Sequence, residues 1–258
     1  MSLIQPDVTR LHHFFRSGPM PCPYLAGRVE RKLFTRLSGA DASDLNSQLS
    51  TAGFRRSHDI VYRPVCQGCV ACVPVRIPAR RLKLNRTQRR INKANVDLAI
   101  VERPPHATPE QYQLFMRYQR DRHGESDMAR MSRADFEAMI EEGNASARLF
   151  EFRRPDNVLL GAMLADRLAD GFSAVYSFFE PGDTRRSLGT YMVLALVQMA
   201  LRENTENVYL GYWIADCRKM SYKTSFQPLE ALGPGGWHDM TPAAAAPVGA
   251  AAMAAAEG

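Results

Sequence analysis

The 258-residue chain is predicted to be an α+β protein on three observations: helical and strand-like segments without a regular βαβ alternation, three consecutive strand patterns between 147 and 179, and a long apolar helix directly after them. With 45% hydrophobic and 23% charged residues the composition is that of an ordinary globular protein, which excludes a mostly disordered, collagen-like or disulfide-scaffold chain. The length allows one large or two modest units, each with a real core. Thirty-three Lys and Arg against 27 Asp and Glu leave a net charge of +6, which points to a partner only where the positive charge is gathered.

In the N-terminal part, 41–50 (DASDLNSQLS) starts polar and stops at Ala52-Gly53, the pattern of a short helix. Residues 54–62 alternate raggedly like a strand, 73–77 form a second strand bracketed by Pro74 and Pro78, 85–94 read as a helix and 96–101 as a strand. Pro104-Pro105 reads as a linker, and Thr108-Pro109-Glu110 as an N-cap with proline at the first helical position. Helices are expected at 109–122 and 133–142, the second opened by Ser132 and Asp135 in a capping-box spacing. Strands at about 147–153, 158–168 and 172–179 are separated by the turns Pro155-Asp156-Asn157 and Asp170-Gly171. A core helix at 187–202 and a strand at 208–213 follow. This is an order that the acetyltransferase (GNAT) fold uses and that other α+β folds share. The expectation is therefore a smaller cysteine-containing N-terminal α+β domain at 1–103, a GNAT-like domain at 104–240, and a disordered alanine-rich tail at 241–258.

The first fifteen residues lack the roughly 7–15 apolar residues of a secretory signal, and no stretch approaches the roughly 18–20 needed to span a bilayer. A cytoplasmic protein without a membrane partner is expected. Between Arg76 and Lys93 the charge is gathered: Arg76, Arg80, Arg81, Lys83, Arg86, Arg89, Arg90 and Lys93 occur with no carboxylate among them. On a helix from Asn85, Arg86, Arg89, Arg90 and Lys93 share one face, where like charges repel, so a phosphate backbone explains them better than stability does. A solvated helix face is the alternative.

Five cysteines are present, and Cys66, Cys69 and Cys72 have the double two-residue spacing that lets three thiolates converge. Cys22, between two prolines, is the natural fourth ligand, so a structural zinc or iron-sulfur cluster on Cys22, Cys66, Cys69 and Cys72 is expected; reduced thiols in a tight turn are the alternative. Cys217 stands apart. A second constellation closes the chain: Tyr212, Trp213, Asp216, Lys219, Tyr222 and Lys223 crowd the end of an apolar strand, where a sheet fold opens to a site.

Long ordered strings carry a resemblance. They are CPYLAGRVERKLFTRL (22–37), FRRSHDIVYRPVCQGCVACVPVRIP (54–78), LNRTQRRINKAN (84–95), YQRDRHGESDM (118–128), SLGTYMVLALVQMA (187–200) and LGYWIADCRKMSYKTSFQPLE (210–230). In these the chain resembles the bacterial aspartate/glutamate leucyltransferases, relatives of the eukaryotic arginyl-tRNA-protein transferases. The resemblance implies transfer of leucine from leucyl-tRNA to proteins with N-terminal Asp or Glu, marking them for degradation, on a GNAT-like half behind a cysteine-bearing N-terminal domain. The eukaryotic relatives pair a CxxC with an adjacent Cys-Cys, whereas this chain has Cys22 alone and then three spaced cysteines, so cluster identity does not transfer.

Such a transfer is aminolysis of an ester and requires no cofactor for its chemistry, because the ester is already activated. The α-amine, with a reference pKa of about 7.7–8.0, must lose a proton. Asp216 is the expected base, with Tyr212, Tyr222, Lys223 and Lys219 stabilising the oxyanion or protonating the departing ribose oxygen. Arg81, Lys83, Arg86, Arg89, Arg90 and Lys93, with Arg185, Arg186 and Gly189 at the start of the core helix, are expected to hold tRNA phosphates. Arg76 is expected to read the acidic acceptor side chain, with His123 and Trp213 lining its place. An arginyl transferase with the same acceptor, an acetyl-CoA-dependent N-acetyltransferase, and a metal-stabilised RNA-binding protein without activity are the competing readings.

Overall fold

A computed structural model describes residues 12–123, 127–143 and 146–240. The chain order is β1 (Phe15–Arg16), β2 (Met20–Pro21), β3 (Val29–Glu30), β4 (Lys32–Arg36), α1 (Ala42–Thr51), β5 (Arg55–Ser57), β6 (Ile60–Pro64), β7 (Val73–Pro78), α2 (Arg86–Ala94), β8 (Ala99–Arg103), α3 (Pro109–His123), α4 (Arg133–Glu141), β9 (Ala147–Arg153), β10 (Leu159–Leu168), β11 (Gly171–Phe179), α5 (Leu188–Arg202), β12 (Asn207–Trp213), β13 (Glu230–Gly233) and β14 (Gly236–Asp239). Short 3-10 turns join some of these, the longest being Arg218–Ser225.

Three of the five helices start at reciprocal side-chain caps. Asn85 and Gln88 form a reciprocal capping box at α2, Ser132 and Asp135 one at α4, and Thr108 exchanges the same pair of bonds with Gln111 at α3. The expected strand at 54–62 is instead a hairpin: His58 adopts a positive φ of 53° and reverses the chain between β5 and β6. The strand expected at 96–101 begins at Ala99, because Leu98 N–H closes a turn on the Asn95 carbonyl. The hairpin of β13 and β14 was not among the expected elements.

The dominant layer is an eight-stranded sheet in the order β14, β13, β7, β12, β11, β10, β9, β8. Both faces are covered. One core holds α5, Ile91 of α2, Phe150, Phe152, Phe172, Val208 and Leu210; the other holds Leu114, Phe115, Phe136, Leu149, Leu164 and Phe178 under α3 and α4. The alternation Leu149, Phe150, Phe152 between the two cores is the period-two pattern of a strand buried on both sides. A four-stranded sheet, β1, β4, β6, β5, packs with α1 around Leu37, Leu45 and Val61. Strands β7 and β8 precede the expected seam at 104, yet both lie in the large sheet, so that sheet runs across it.

Buried polar bonds join the small sheet to the large one. Arg56 Nε meets Asp166 Oδ2 at 2.7 Å with both side chains out of solvent, and Asn46 Nδ2 donates to the same oxygen at 2.9 Å. Tyr212 Oη lies 3.0 Å from the carbonyls of both Gly53 and Tyr62. Among the described residues no helix is long and apolar enough to cross a membrane. The alanine-rich tail at 241–258 lies outside the described residues.

Candidate active site

Strands β11 and β12 run parallel, but pair only over Gly171 to Ser173 and Asn207 to Tyr209. Their approach there is close enough that a Cβ on Gly171 would stand 1.8 Å from the Asn207 carbonyl oxygen. Beyond that point the strands separate, and backbone carbonyls that would have paired across the sheet need other donors. Two cations supply them: Arg55 Nη2 donates to the Val175 carbonyl at 2.7 Å, and Lys223 Nζ donates to the Tyr212 carbonyl. Gly211, at a φ of +73° beside an irregularity in the β12 and β7 pairing, leaves the room that Arg55 occupies; a Cβ there would meet Arg55 Nη1 at 2.3 Å.

The split opens into a cavity of about 600 Å³. Its apolar wall includes Met163, Leu188, Val193 and Leu210, and its polar groups include Arg55, Tyr118, Arg122, Tyr176, Lys219, Tyr222 and Lys223. Ser187, Leu188, Gly189 and Thr190 bring the N-terminus of α5 to the same space, where N–H groups and the helix dipole favour an anion. Lys223 is 4% exposed. Burial, and then the positive charge of Arg55, pull its ammonium down to about 7, so it exchanges protons near neutrality. Burial pushes the Tyr118 and Tyr176 phenols up, which keeps both protonated.

Of the residues expected at the site, Lys219, Tyr222, Lys223 and Gly189 line the cavity. Asp216 does not: it is exposed on the turn after β12. Tyr212 points its hydroxyl into the joint with the small sheet, and Trp213 is buried in the core with Ile214 and Cys217, so neither faces the cavity. Arg76 is bound to Glu230 Oε2 at 2.7 Å and stacks on Trp237 at 4.4 Å, on the far side of β12 from the split. The side chain of His123 lies outside the described residues.

The basic helix face is as expected in placement: Arg86, Arg89, Arg90 and Lys93 are exposed, with Ile91 and Gln88 turned inward. Lys83 and Arg185 are exposed as well. Arg81 instead holds Glu230 and Asp239, and Arg186 grips Asp97 through two bonds of 2.7 and 2.9 Å. These pairs tie the hairpin and α2 to the sheet and leave less charge for phosphates. Asn95 Nδ2 donates to the Arg186 carbonyl, so the end of the basic helix abuts the turn that leads to α5 and the cavity.

The thiol of Cys72 is pushed up to about 12 by burial and by the neighbouring Cys66, Cys22 and Cys69. Among the described residues, however, no group of three or more Cys, His, Asp or Glu is arranged to hold a metal ion. The expected ligands thus influence Cys72 without meeting as a ligand group among the described residues.

Comparison with known proteins decides the family. Residues 20–90 match the family described as "Arginine-tRNA-protein transferase, N terminus" and residues 110–233 the one described as "Arginine-tRNA-protein transferase, C terminus". The "Aspartate/glutamate leucyltransferase" of Granulibacter bethesdensis is 50% identical over 91% of this chain and 88% of its own. That of Paramagnetospirillum magneticum is 53% identical over 90% and 96%, and that of Rhodospirillum rubrum 51% over 90% and 95%. The chain belongs to the aspartate/glutamate leucyltransferase family. Among solved structures, the one titled "Crystal structure of FemX" overlays with a TM-score of 0.45 at 9% identity, covering 74% of this chain and 65% of that one.

The cavity draws on both family regions, Arg55 from the N-terminal match and Lys219 to Lys223 from the C-terminal one. Arg55, Tyr118, Arg122 and Tyr176 were not expected there. Arg55, Tyr118 and Arg122 lie inside the strings that carry the family resemblance, which was the available signal; Tyr176 had none beyond its strand.

Proposed function

We propose that this chain is an aminoacyltransferase that moves leucine from leucyl-tRNA to the α-amine of proteins beginning with Asp or Glu, marking them for degradation. The observation that carries the reading is identity at about half of the residues, over nine-tenths of the chain, with proteins of that name. The family acts on aminoacyl-tRNA and on proteins with acidic N-termini; leucine as this chain's own donor, and the cytoplasm as its place of work, belong to the proposal.

The cavity supports a direct aminolysis. The apolar wall at Met163, Leu188, Val193 and Leu210 suits a leucyl side chain, and the cationic rim at Arg122 and Lys219 suits the 3' end of a tRNA. Lys223 replaces Asp216 as the base in this reading. With its proton affinity lowered to about 7, neutral Lys223 takes the proton from the α-ammonium, whose reference pKa is about 7.7–8.0. The free amine attacks the ester carbonyl, Tyr222 and Lys219 donate to the oxyanion, and the C–O bond to the ribose 3'-oxygen breaks. Bond formation leaves the attacking nitrogen with a second surplus proton, which passes to solvent, while Lys223 returns the first to the ribose oxygen; one proton is released overall and no covalent enzyme intermediate forms. No cofactor enters the reaction.

The test is transfer of labelled amino acid to an Asp-starting peptide, with leucyl-, arginyl- and phenylalanyl-tRNA in parallel. Leucine is expected to transfer and arginine not; arginine transfer alone would overturn the donor assignment. Lys223→Met should lower kcat by about a hundredfold or more, while Asp216→Asn should keep the wild-type rate. The reverse pattern would return the base to Asp216.

A further inference from the structure

We propose that Arg55, which the expected acceptor site did not include, is the residue that recognises the acidic side chain of the acceptor protein's N-terminus. The inference rests on the aminoacyl transfer proposed above and assigns the acceptor half of that site.

Position is the first argument. Arg55 comes from β5 of the small sheet, enters the split between β11 and β12, and lines the same cavity as Lys223. An acceptor whose α-amine reaches Lys223 therefore brings its first side chain into a space where Arg55 is a fixed cation.

The second argument is valence. Many of this protein's arginines are committed to carboxylates: Arg56 to Asp166, Arg76 to Glu230, Arg153 to Glu110, Arg186 to Asp97. Arg55 is half-buried, and its one side-chain hydrogen bond among the described residues is to the Val175 carbonyl. A guanidinium has five N–H donors in a planar fork, so most of the fork is open to a ligand. The two carboxylates that line the cavity are already held, Glu180 by Arg117 at 3.2 Å and Asp183 by Arg186 at 3.0 Å. A half-buried cation without a counter-ion has lost part of its hydration, and a carboxylate arriving with the substrate offsets that loss.

Chemistry is the third. Discrimination of Asp and Glu from Asn and Gln requires a donor-only partner, because an amide brings an NH₂ that would face another donor. A guanidinium offers donors only, and the anchoring of Arg55 on Val175 with the clearance left by Gly211 orients the fork before substrate arrives. The other cations of the cavity, Lys219 and Arg122, are exposed at the rim, and Arg122 is paired with Asp121 at 3.3 Å.

The experiment measures kcat/KM for peptides beginning with Asp and with Asn, and separately KM for leucyl-tRNA, in wild type, Arg55→Gln and Arg55→Lys. In Arg55→Gln the preference for Asp over Asn should fall by about a hundredfold, with the KM for leucyl-tRNA unchanged; both rates also fall by a common factor because Lys223 loses the charge that lowers its proton affinity, and the ratio is independent of that factor. Arg55→Lys, which keeps the charge but not the fork, should lose about tenfold of the preference; it also gives the answer if Arg55→Gln fails a thermal melt. Equal losses for both peptides would make Arg55 a structural pin in the sheet, and a raised KM for leucyl-tRNA would make it a phosphate contact; either overturns the proposal. If wild type transferred no leucine to either peptide, the function itself would fail, a result distinct from any change in preference.

Discussion

Lys223→Met should make the protein more stable while removing its activity. The perturbation replaces a cation that is 4% exposed, and held at about 7 instead of the usual 10.5, with an apolar chain of similar length. At 1.36 kcal/mol per pH unit, carrying this lysine costs the fold about 4 kcal/mol at pH 7. The substitution strips the Tyr212 carbonyl of its donor, a loss of about 1–2 kcal/mol. The net gain of about 2–3 kcal/mol corresponds to a rise of about 5–10 °C in Tm for a protein of this size. The sign with pH is fixed as well. Between pH 7 and 10.5 the unfolded chain binds more protons at this site than the folded one, so wild-type stability rises with pH across that window. The advantage of Lys223→Met should then shrink by about 2 kcal/mol from pH 7 to pH 9, before the buried tyrosines contribute. Urea unfolding of both proteins at the two pH values reads it. A variant less stable at pH 7, or an advantage that does not change with pH, would refute a desolvated lysine and with it the base assigned to the transfer.

Two further outcomes follow from other parts of the fold. Asp166→Ala should cost about 3–5 kcal/mol in urea unfolding, because Arg56 is left buried without its counter-ion at the joint between the two sheets; a loss below 1 kcal/mol would show the pair to be dispensable. Replacing Arg86, Arg90 and Lys93 together by Gln should raise KM for leucyl-tRNA and flatten its log-log dependence on salt by about 2–3, with kcat at saturating tRNA unchanged; an unaltered salt slope would remove this helix face from the tRNA path.

Legibility in the sequence followed how local the physics is. The capping residues Asn85, Thr108 and Ser132 mark their helices, the meander of β9 to β11 is readable from its turns, and the cations of α2 share a face because 3.6-residue spacing demands it. The hairpin at His58 is not legible in the sequence because its reversal rests on one positive φ, which no composition signal announces. Asp216 was expected to be the base because it sits in a crowded polar string, but nearness in sequence after a strand end does not decide which side chains turn inward.

By itself the sequence determined the family, the α+β class, the helices with their caps and the concentration of charge in one helix, all of which depend on neighbours a few residues apart or on long ordered strings. Only the tertiary structure decided the site. Arg55 and Lys223 are 168 positions apart and meet because two parallel strands separate after three paired residues, leaving carbonyls that a cation from each family region must satisfy. It likewise withdrew Arg76, Arg81 and Arg186 from substrate binding by giving each a carboxylate from a distant strand or turn. Ion pairing and desolvation depend on what lies within a few ångströms in space, and it is those two effects that make one lysine a base and leave one arginine open to a ligand.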